Sequence, residues 1–152
     1  MSSRYGLSVR GVQAGDADGL AELLSMAGQP VARDRLSHRL PALLDQPGVV
    51  LIAEEWGPPS GLIAVHWHAV LTADLKVASI STLLVDPERR RSGIARLLLK
   101  AASQAARSAG CGELRLETPS APGDLRAFCL ATGFEPSGET FTRALRKRGA
   151  QD

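Results

Sequence analysis

The segment at residues 83–95 places the strongest constraint on how this chain can fold. It begins with the apolar run Leu83-Leu84-Val85, which is typical of a buried strand, and passes through the basic turn Arg89-Arg90-Arg91 to Gly93. From Ile94 onward apolar residues recur at helical spacing, which predicts a long amphipathic helix. A strand thus leads through a basic turn into a helix, and this order predicts an anion-binding site where the helix begins.

Three properties of the turn suit a phosphate. The first amides of a helix have no acceptor inside the helix and lie at the positive end of its dipole. Gly93 has no Cβ to block close approach, Ala95 keeps the first turn narrow, and the three arginines add positive charge. The alternative is that the arginines are solvated turn residues and that Gly93 only begins a helix.

Strand and helix patterns follow one another along the rest of the chain. The sequence predicts strands near residues 7–10, 49–54, 62–69, 77–85 and 113–118, helices after Asp16, over 36–44, from 94 to a cap at Gly110 and over 122–131, and a closing hairpin at 134–145. The predicted order is therefore β-α-α-β-β-β-α-β-α-β-β.

The composition fits one globular domain. Of 152 residues, 44% are hydrophobic and 22% are charged, so we expect a single domain over 1–152 with its core at 6–146 and a basic tail at 147–152. A formal charge of +2 makes nucleic acid an unfavoured partner, and no apolar run is long enough to span a bilayer, so we expect a cytoplasmic protein. Cys111 and Cys129 lack metal-ligand spacing, so no metal is expected.

The turn resembles that of the GNAT superfamily of N-acetyltransferases, which carries Arg or Gln, two residues, Gly, one residue and then Gly or Ala. Arg90, Gly93 and Ala95 fit this pattern. The similarity continues in order through Arg10, Asp16, Leu83-Leu84-Val85-Asp86-Pro87, Gly133-Phe134 and Phe141-Thr142-Arg143-Ala144-Leu145. It implies an α/β (α+β) GNAT fold, with a mixed, mostly antiparallel sheet of six to seven strands and about four flanking helices.

The resemblance also implies acetyl-CoA as cosubstrate and a primary amine, on a small molecule or a peptide N-terminus, as acceptor. Direct attack within a ternary complex would move the acetyl group. Backbone groups of Leu83, Leu84 and Val85 are expected to bind the pantetheine arm as an added strand would. The pyrophosphate site is expected at Arg90, Arg91, Ser92, Gly93, Ile94, Ala95 and Arg96. The fourth and fifth strands of the family splay apart, usually at a β-bulge, and the thioester lies in that gap.

Two kinds of residue are candidates for the base that removes the amine proton. Glu117 is the first, because Leu116-Glu117 resembles the Leu-Glu pair of relatives that acetylate ribosomal-protein N-termini. The alternative for Glu117 is a surface carboxylate at a strand end. His66 and His68 are two residues apart on one predicted strand, so they share a face and could relay protons, although histidines there are more often structural.

The sequence departs from the family pattern at the general acid. The usual tyrosine is replaced by Cys129, whose thiol could protonate the departing thiolate or could simply pack in the core. A nearby asparagine of the family is replaced by Pro122, and Ser79, Ser81 and Thr82 offer no carboxylate on the fourth strand. The alternative function is therefore an acyl-CoA-binding regulatory domain with degraded catalysis. A homodimer is left open.

Overall fold

A computed structural model describes residues 6–90, 92–118 and 123–146. Its strands are β1 (Ser8–Gly11), β2 (Gly48–Glu54), β3 (Gly61–His68), β4 (Lys76–Val85) and β5 (Cys111–Leu116), and its helices are α1 (Ala17–Met26), α2 (Arg33–Asp45), α3 (Ile94–Ser108) and α4 (Asp124–Ala131). Short 3-10 turns at Ala14–Asp16 and Pro87–Arg89 precede α1 and α3. The chain order agrees with the predicted order as far as α4.

The five strands form one mixed sheet in the order β1-β2-β3-β4-β5. The pairs from β1 to β4 are antiparallel, whereas β4 and β5 are parallel. Parallel neighbours need a crossover connection, and α3 supplies it. The prediction of a mixed, mostly antiparallel sheet with helices on it is confirmed.

Each face of the sheet is covered by helices. Alternate residues of β3, such as Leu62 and Ala64, join a buried cluster with leucines of α1 and α2. The other face of β3 packs against α3, whose Ile94 and Leu98 are almost completely buried. Because both faces are buried, β3 has the continuous apolar run of a central strand.

The predicted number of strands was wrong. Six to seven strands were expected, and the described part of the chain has five, because residues 134–146 form no strand. The sequence there is interrupted by Pro136 and by glycines that adopt positive φ, 95° at Gly133 and 67° at Gly138. Proline lacks a donor and glycine weakens a strand, so the β-rich Phe141–Leu145 region is left too short for a hairpin.

The chain divides into two compact units, Met1–Leu116 and Glu117–Asp152. The first unit contains the whole sheet with α1, α2 and α3. In the second unit, Thr132 is the C-cap residue of α4, and its hydroxyl donates to the carbonyl of Phe128 (2.8 Å). The amide of Phe134 donates to the carbonyl of Cys129 (3.0 Å). None of the described helices is long and apolar enough to cross a membrane.

Candidate functional site

The pairing between β4 and β5 stops halfway along β4, where β5 ends. Their parallel pairing runs from Lys76 opposite Cys111 to Ile80 opposite Leu116, where β5 ends. Strand β4 continues for five more residues, Ser81 to Val85, and within the described chain the last four of them, from Thr82, are paired only with β3. Within the first unit, the edge of β4 beyond Ile80 that faces away from β3 therefore has no strand beside it, and we call the space along this edge the gap.

A β-bulge lies on β4 directly after Ile80, the last residue of β4 that pairs with β5. Thr82 pairs with Ala64 and Ile80 pairs with Val65, so Ser81 is an extra residue on β4. Its hydroxyl lies 3.5 Å from the carbonyl of Ala64. A bulge bends and twists its strand locally. Alternate backbone groups of an antiparallel strand face away from its partner, so the groups of Leu83 to Val85 that face the gap have no strand to bind within the described structure.

The start of α3 follows directly from this end of β4. The carboxylate of Asp86 accepts a hydrogen bond from the amide of Glu88 (3.0 Å), which caps the 3-10 turn. Gly93 is the N-cap residue of α3, with a φ of 84° that favours glycine, and its carbonyl accepts the first α-helical bond, from the amide of Leu97 (3.0 Å). The amides of Ile94, Ala95 and Arg96 precede that bond and have no acceptor within the helix.

The sequence-predicted cofactor residues are brought together in the first unit. Leu83, Leu84 and Val85 are half-buried at the end of β4, Ser92 and Gly93 are exposed in the turn, and Ile94 anchors α3 in the core. Arg90 and Arg96 are exposed. Arg91 lies outside the described residues, as do Pro122 and the predicted basic tail.

Gly61 sets how closely α3 approaches the sheet. A Cβ at this position would lie 2.6 Å from Cγ2 of Ile94 and 2.9 Å from Cδ1 of Leu98. Gly61 pairs with Val85 at the end of β4, so the contact brings the start of α3 to the same corner of the sheet as the gap. From sequence, this glycine is only part of a turn, because its close neighbours come from a helix more than thirty residues away.

The two histidines of β3 have different environments. His66 pairs with Ser79 and is half-buried, and its buried Nδ1 has no hydrogen-bond partner among the described residues. Burial lowers the pKa of His66 because it disfavours the charged ring. His68 is exposed and pairs with Val77. Burial thus favours the neutral form of His66, which lies one residue beyond Val65 at the border of the bulge.

The other two catalytic candidates lie in the second unit. Strand β5 was predicted over 113–118 but ends at Leu116, so exposed Glu117 is the first residue after the strand and not part of it. Cys129 is buried on α4. Burial raises the pKa of the Cys129 thiol, and the charge of Arg126 opposes that shift. The thiol therefore keeps its proton at neutral pH.

Two residues that sequence analysis missed, Glu55 and Ser60, contact the turn between β4 and α3. The amide of Asp86 donates to the carbonyl of Ser60 (2.9 Å), and the guanidinium of Arg89 forms an ion pair with Glu55. No sequence signal marks Glu55 or Ser60, since only the fold brings them to the turn. In the described ranges, no group of three or more His, Cys, Asp or Glu side chains could hold a metal ion.

The chain is similar to a known protein family and to solved structures. The model of the acetyltransferase (GNAT) family matches residues 18–134. A solved structure from Agrobacterium tumefaciens str. C58, of a protein assigned to the acetyltransferases, is similar with a TM-score of 0.79 and 27% identity over 90% of this chain and 99% of that chain. No curated protein matches the sequence.

Two further solved structures are similar at lower identity. An aminoglycoside acetyltransferase from an uncultured soil metagenomic sample, in complex with sisomicin, has a TM-score of 0.77 and 20% identity over 93% of this chain and 97% of that chain. The aminoglycoside N-acetyltransferase AAC(6')-Iy in complex with CoA has a TM-score of 0.78 and 20% identity, covering 93% of this chain and 95% of that chain. At these identities the likeness shows a shared fold.

Proposed function

The chain belongs to the GNAT acetyltransferase family, and from that premise we propose that it is an acetyl-CoA-dependent N-acetyltransferase. The acceptor is a primary amine of a small molecule or of a peptide N-terminus, which attacks the thioester directly in a ternary complex. We further propose that residues 1–152 constitute one acetyltransferase domain, because the family match extends on both sides of Leu116.

The observation that carries the proposal is the unpaired end of β4 beside the start of α3. The pantetheine arm contains amide groups, and these can pair with the gap-facing backbone groups of Leu83 to Val85 as a strand would. The pyrophosphate then meets the amides from Ser92 to Arg96, where the helix dipole and the absent Cβ of Gly93 favour an anion. Arg90 and Arg91 add positive charge to the same turn.

The proposed chemistry removes protons from the amine and gives one to the departing thiolate. A primary amine with a pKa of about 10.4 must lose a proton before its lone pair attacks the carbonyl carbon, and Glu117 or, through water, the neutral His66 accepts that proton. A backbone N–H stabilises the oxyanion that forms. The attacking nitrogen loses its second proton to water as the carbon–sulfur bond breaks. The Cys129 thiol donates its proton to the departing thiolate and is then reprotonated from water. His68 is the exposed member of the histidine pair and is a second candidate for the relay.

A second candidate function is an acyl-CoA-binding regulatory domain. The observation in its favour is Cys129, a buried thiol with a raised pKa that stands where the family usually has a tyrosine. A thiol held in the core packs well and donates poorly, so the cofactor turn could persist without efficient transfer. The two functions agree on CoA binding and differ on turnover.

A thiol-release assay with acetyl-CoA separates the two functions. The acceptor panel comprises amino acids, polyamines, N-terminal peptides and aminoglycosides, the last because a structurally similar acetyltransferase is in complex with sisomicin. For an enzyme, we expect amine-dependent CoA release that falls about 10²- to 10⁴-fold in Glu117→Gln if this carboxylate is the base.

Cys129→Ala tests the proposed acid in the same assay. Glu135→Gln, an exposed position in the same unit, is the control for the loss of a carboxylate and should leave turnover unchanged. Unchanged turnover in both Glu117→Gln and Cys129→Ala would reject the two catalytic assignments. CoA binding without turnover on any amine would favour the regulatory domain.

A further inference from the structure

The loop between β2 and β3, residues 55–60, is held rigidly. Pro58 and Pro59 fix their backbone φ angles, and Pro59 is buried. Helix α1 approaches so closely that a Cβ on Gly19 would lie 2.8 Å from Cδ of Pro59. Ser60 is also buried, and both its amide (2.8 Å) and its hydroxyl (3.2 Å) donate to the carbonyl of Ala53. These contacts fix the conformation of the loop.

The turn before α3 is attached to this loop and to the adjacent Gly61 by contacts at its start, at its end and in its middle. At its start, the amide of Asp86 donates to the carbonyl of Ser60. At its end, Ile94 packs on Gly61 with no space for a Cβ between them. In the middle, the guanidinium of Arg89 pairs with the carboxylate of Glu55. The side chain of Glu55 is only 14% exposed, so this pair is shielded from solvent more than an ordinary surface pair.

Arg89, the residue that pairs with Glu55, is hydrogen-bonded to residues on both sides of it in the turn. The amide of Arg89 donates to the carbonyl of Asp86 (2.8 Å), and the hydroxyl of Ser92 donates to the carbonyl of Arg89. A displacement of Arg89 therefore reaches Ser92, which immediately precedes Gly93. Without Glu55, the turn would keep the contacts at its two ends and lose the ion pair that Arg89 makes between them.

We propose that Glu55 is a positioning residue, which holds the turn before α3 in the shape that binds the CoA pyrophosphate. The proposal rests on the proposed function. A carboxylate near an anion site repels the anion, so Glu55 does not bind phosphate and its effect on affinity comes through Arg89. The two physical effects have opposite signs. Removal of the charge alone would tighten CoA binding, whereas loss of the turn shape would weaken it.

The test compares Glu55→Gln with wild type by hydrogen exchange and by calorimetry with CoA. We expect faster exchange at the amides of Asp86 and Arg89, unchanged exchange in the buried middle of α3, and CoA binding weaker by about tenfold. Glu113→Gln is the matched control, because it makes the same charge change in the exposed Arg115–Glu113 pair of β5 (2.6 Å). It should leave both measurements at the wild-type value.

Arg89→Gln and the double variant complete the experiment. If the pair acts as one unit, the double variant binds CoA no more weakly than either single variant. Additive losses would overturn the proposal, since Arg89 would then contact the ligand by itself. Equal or tighter CoA binding by Glu55→Gln, or unchanged exchange at Asp86 and Arg89, would also overturn it. Failure of the wild type to bind CoA would instead reject the proposed function, and the exchange data would still decide whether Glu55 holds the turn.

Discussion

Asp16 lies at the N-cap position of α1, but its carboxylate binds Arg10 of β1 and not the amides of that helix. The sequence predicts that Asp16 caps α1, and it occupies the N-cap position without a side-chain bond to that helix. Its carboxylate instead accepts two hydrogen bonds from Arg10, at 2.8 and 2.9 Å, and one from the amide of Gln13 at 2.7 Å. Arg10 also donates to Glu54 (2.8 Å), so the Arg10 side chain connects β1 with β2 and with the start of α1.

These hydrogen bonds make the stability of the protein depend on pH. The Arg10 guanidinium holds the pKa of Asp16 below its usual value of about 3.9, so the unfolded chain binds more protons than the folded chain in that range. The contribution of Asp16 is complete above about pH 5 and is lost as the pH falls through its folded pKa. We expect Asp16→Asn to lower the free energy of unfolding at pH 7 by about 1–3 kcal/mol.

Urea denaturation at several pH values measures this effect. The difference between wild type and Asp16→Asn should shrink as the pH falls from about 5 to about 3. Asp74→Asn, in an exposed turn, is the control and should change stability by less than about 0.5 kcal/mol. A difference that stays constant over this pH range would show that the Asp16 carboxylate is not the group responsible.

At this scale, sequence reasoning identifies residues whose role is local. Gly93 is one, since its place between a basic turn and a helical pattern predicts a helix start, and Gly93 is the N-cap residue of α3. The anion site at that helix start stays a prediction. Gly61 and Glu55 are the opposite case. Their roles depend on Ile94 and Arg89, which are distant in sequence, and a pattern of hydrophobicity carries no information about which distant side chains come into contact.

At the scale of elements, periodicity predicts best where an element is long or has a buried face. Helix α3 is expected from Ile94 to a cap at Gly110, and it runs over Ile94–Ser108 with Gly110 at a φ of 92°. The β2–β3 hairpin and β4 also agree with the prediction. The closing hairpin does not, because β propensity in residues 134–145 says nothing of whether a partner strand is present to bind it.

The two ends of α3 provide a matched test of the anion site. Gly93 and Gly110 both have positive φ, 84° and 92°, and a Cβ on either would meet no protein atom within 4 Å. Substitution by alanine should therefore cost each about 1 kcal/mol of stability through backbone strain alone. We expect Gly93→Ala to weaken CoA binding by at least about tenfold, because its Cβ enters the space assigned to the pyrophosphate.

Gly110→Ala should bind CoA as the wild type does. Calorimetry with CoA and urea denaturation of the two variants make the comparison. Equal CoA affinities for Gly93→Ala and Gly110→Ala, at equal loss of stability, would remove the start of α3 from the binding site.

At the scale of the whole molecule, the resemblance to the GNAT family indicates a function, which composition alone does not. Composition indicates a globular protein of about one domain, whereas the ordered match of Arg90, Gly93 and Ala95 with the flanking segments indicates the family to which the chain belongs. The acceptor stays a prediction for a physical reason. Its binding depends on side chains from several segments, and the usual tyrosine and asparagine are replaced here by Cys129 and Pro122.

Binding of CoA to the folded protein should raise the stability of the whole chain, because a ligand that binds only the folded state shifts the unfolding equilibrium. At a CoA concentration of about 100 times its dissociation constant, the gain is roughly 2.7 kcal/mol, which for a chain of this size raises the unfolding midpoint by about 5–10 °C. ADP shares the pyrophosphate but lacks the pantetheine arm. It should give a smaller shift, since it can bind the start of α3 and leaves the end of β4 unpaired. Equal shifts with CoA and ADP would mean that Leu83 to Val85 contribute no binding, and no shift with millimolar CoA would mean that neither part of the site binds it.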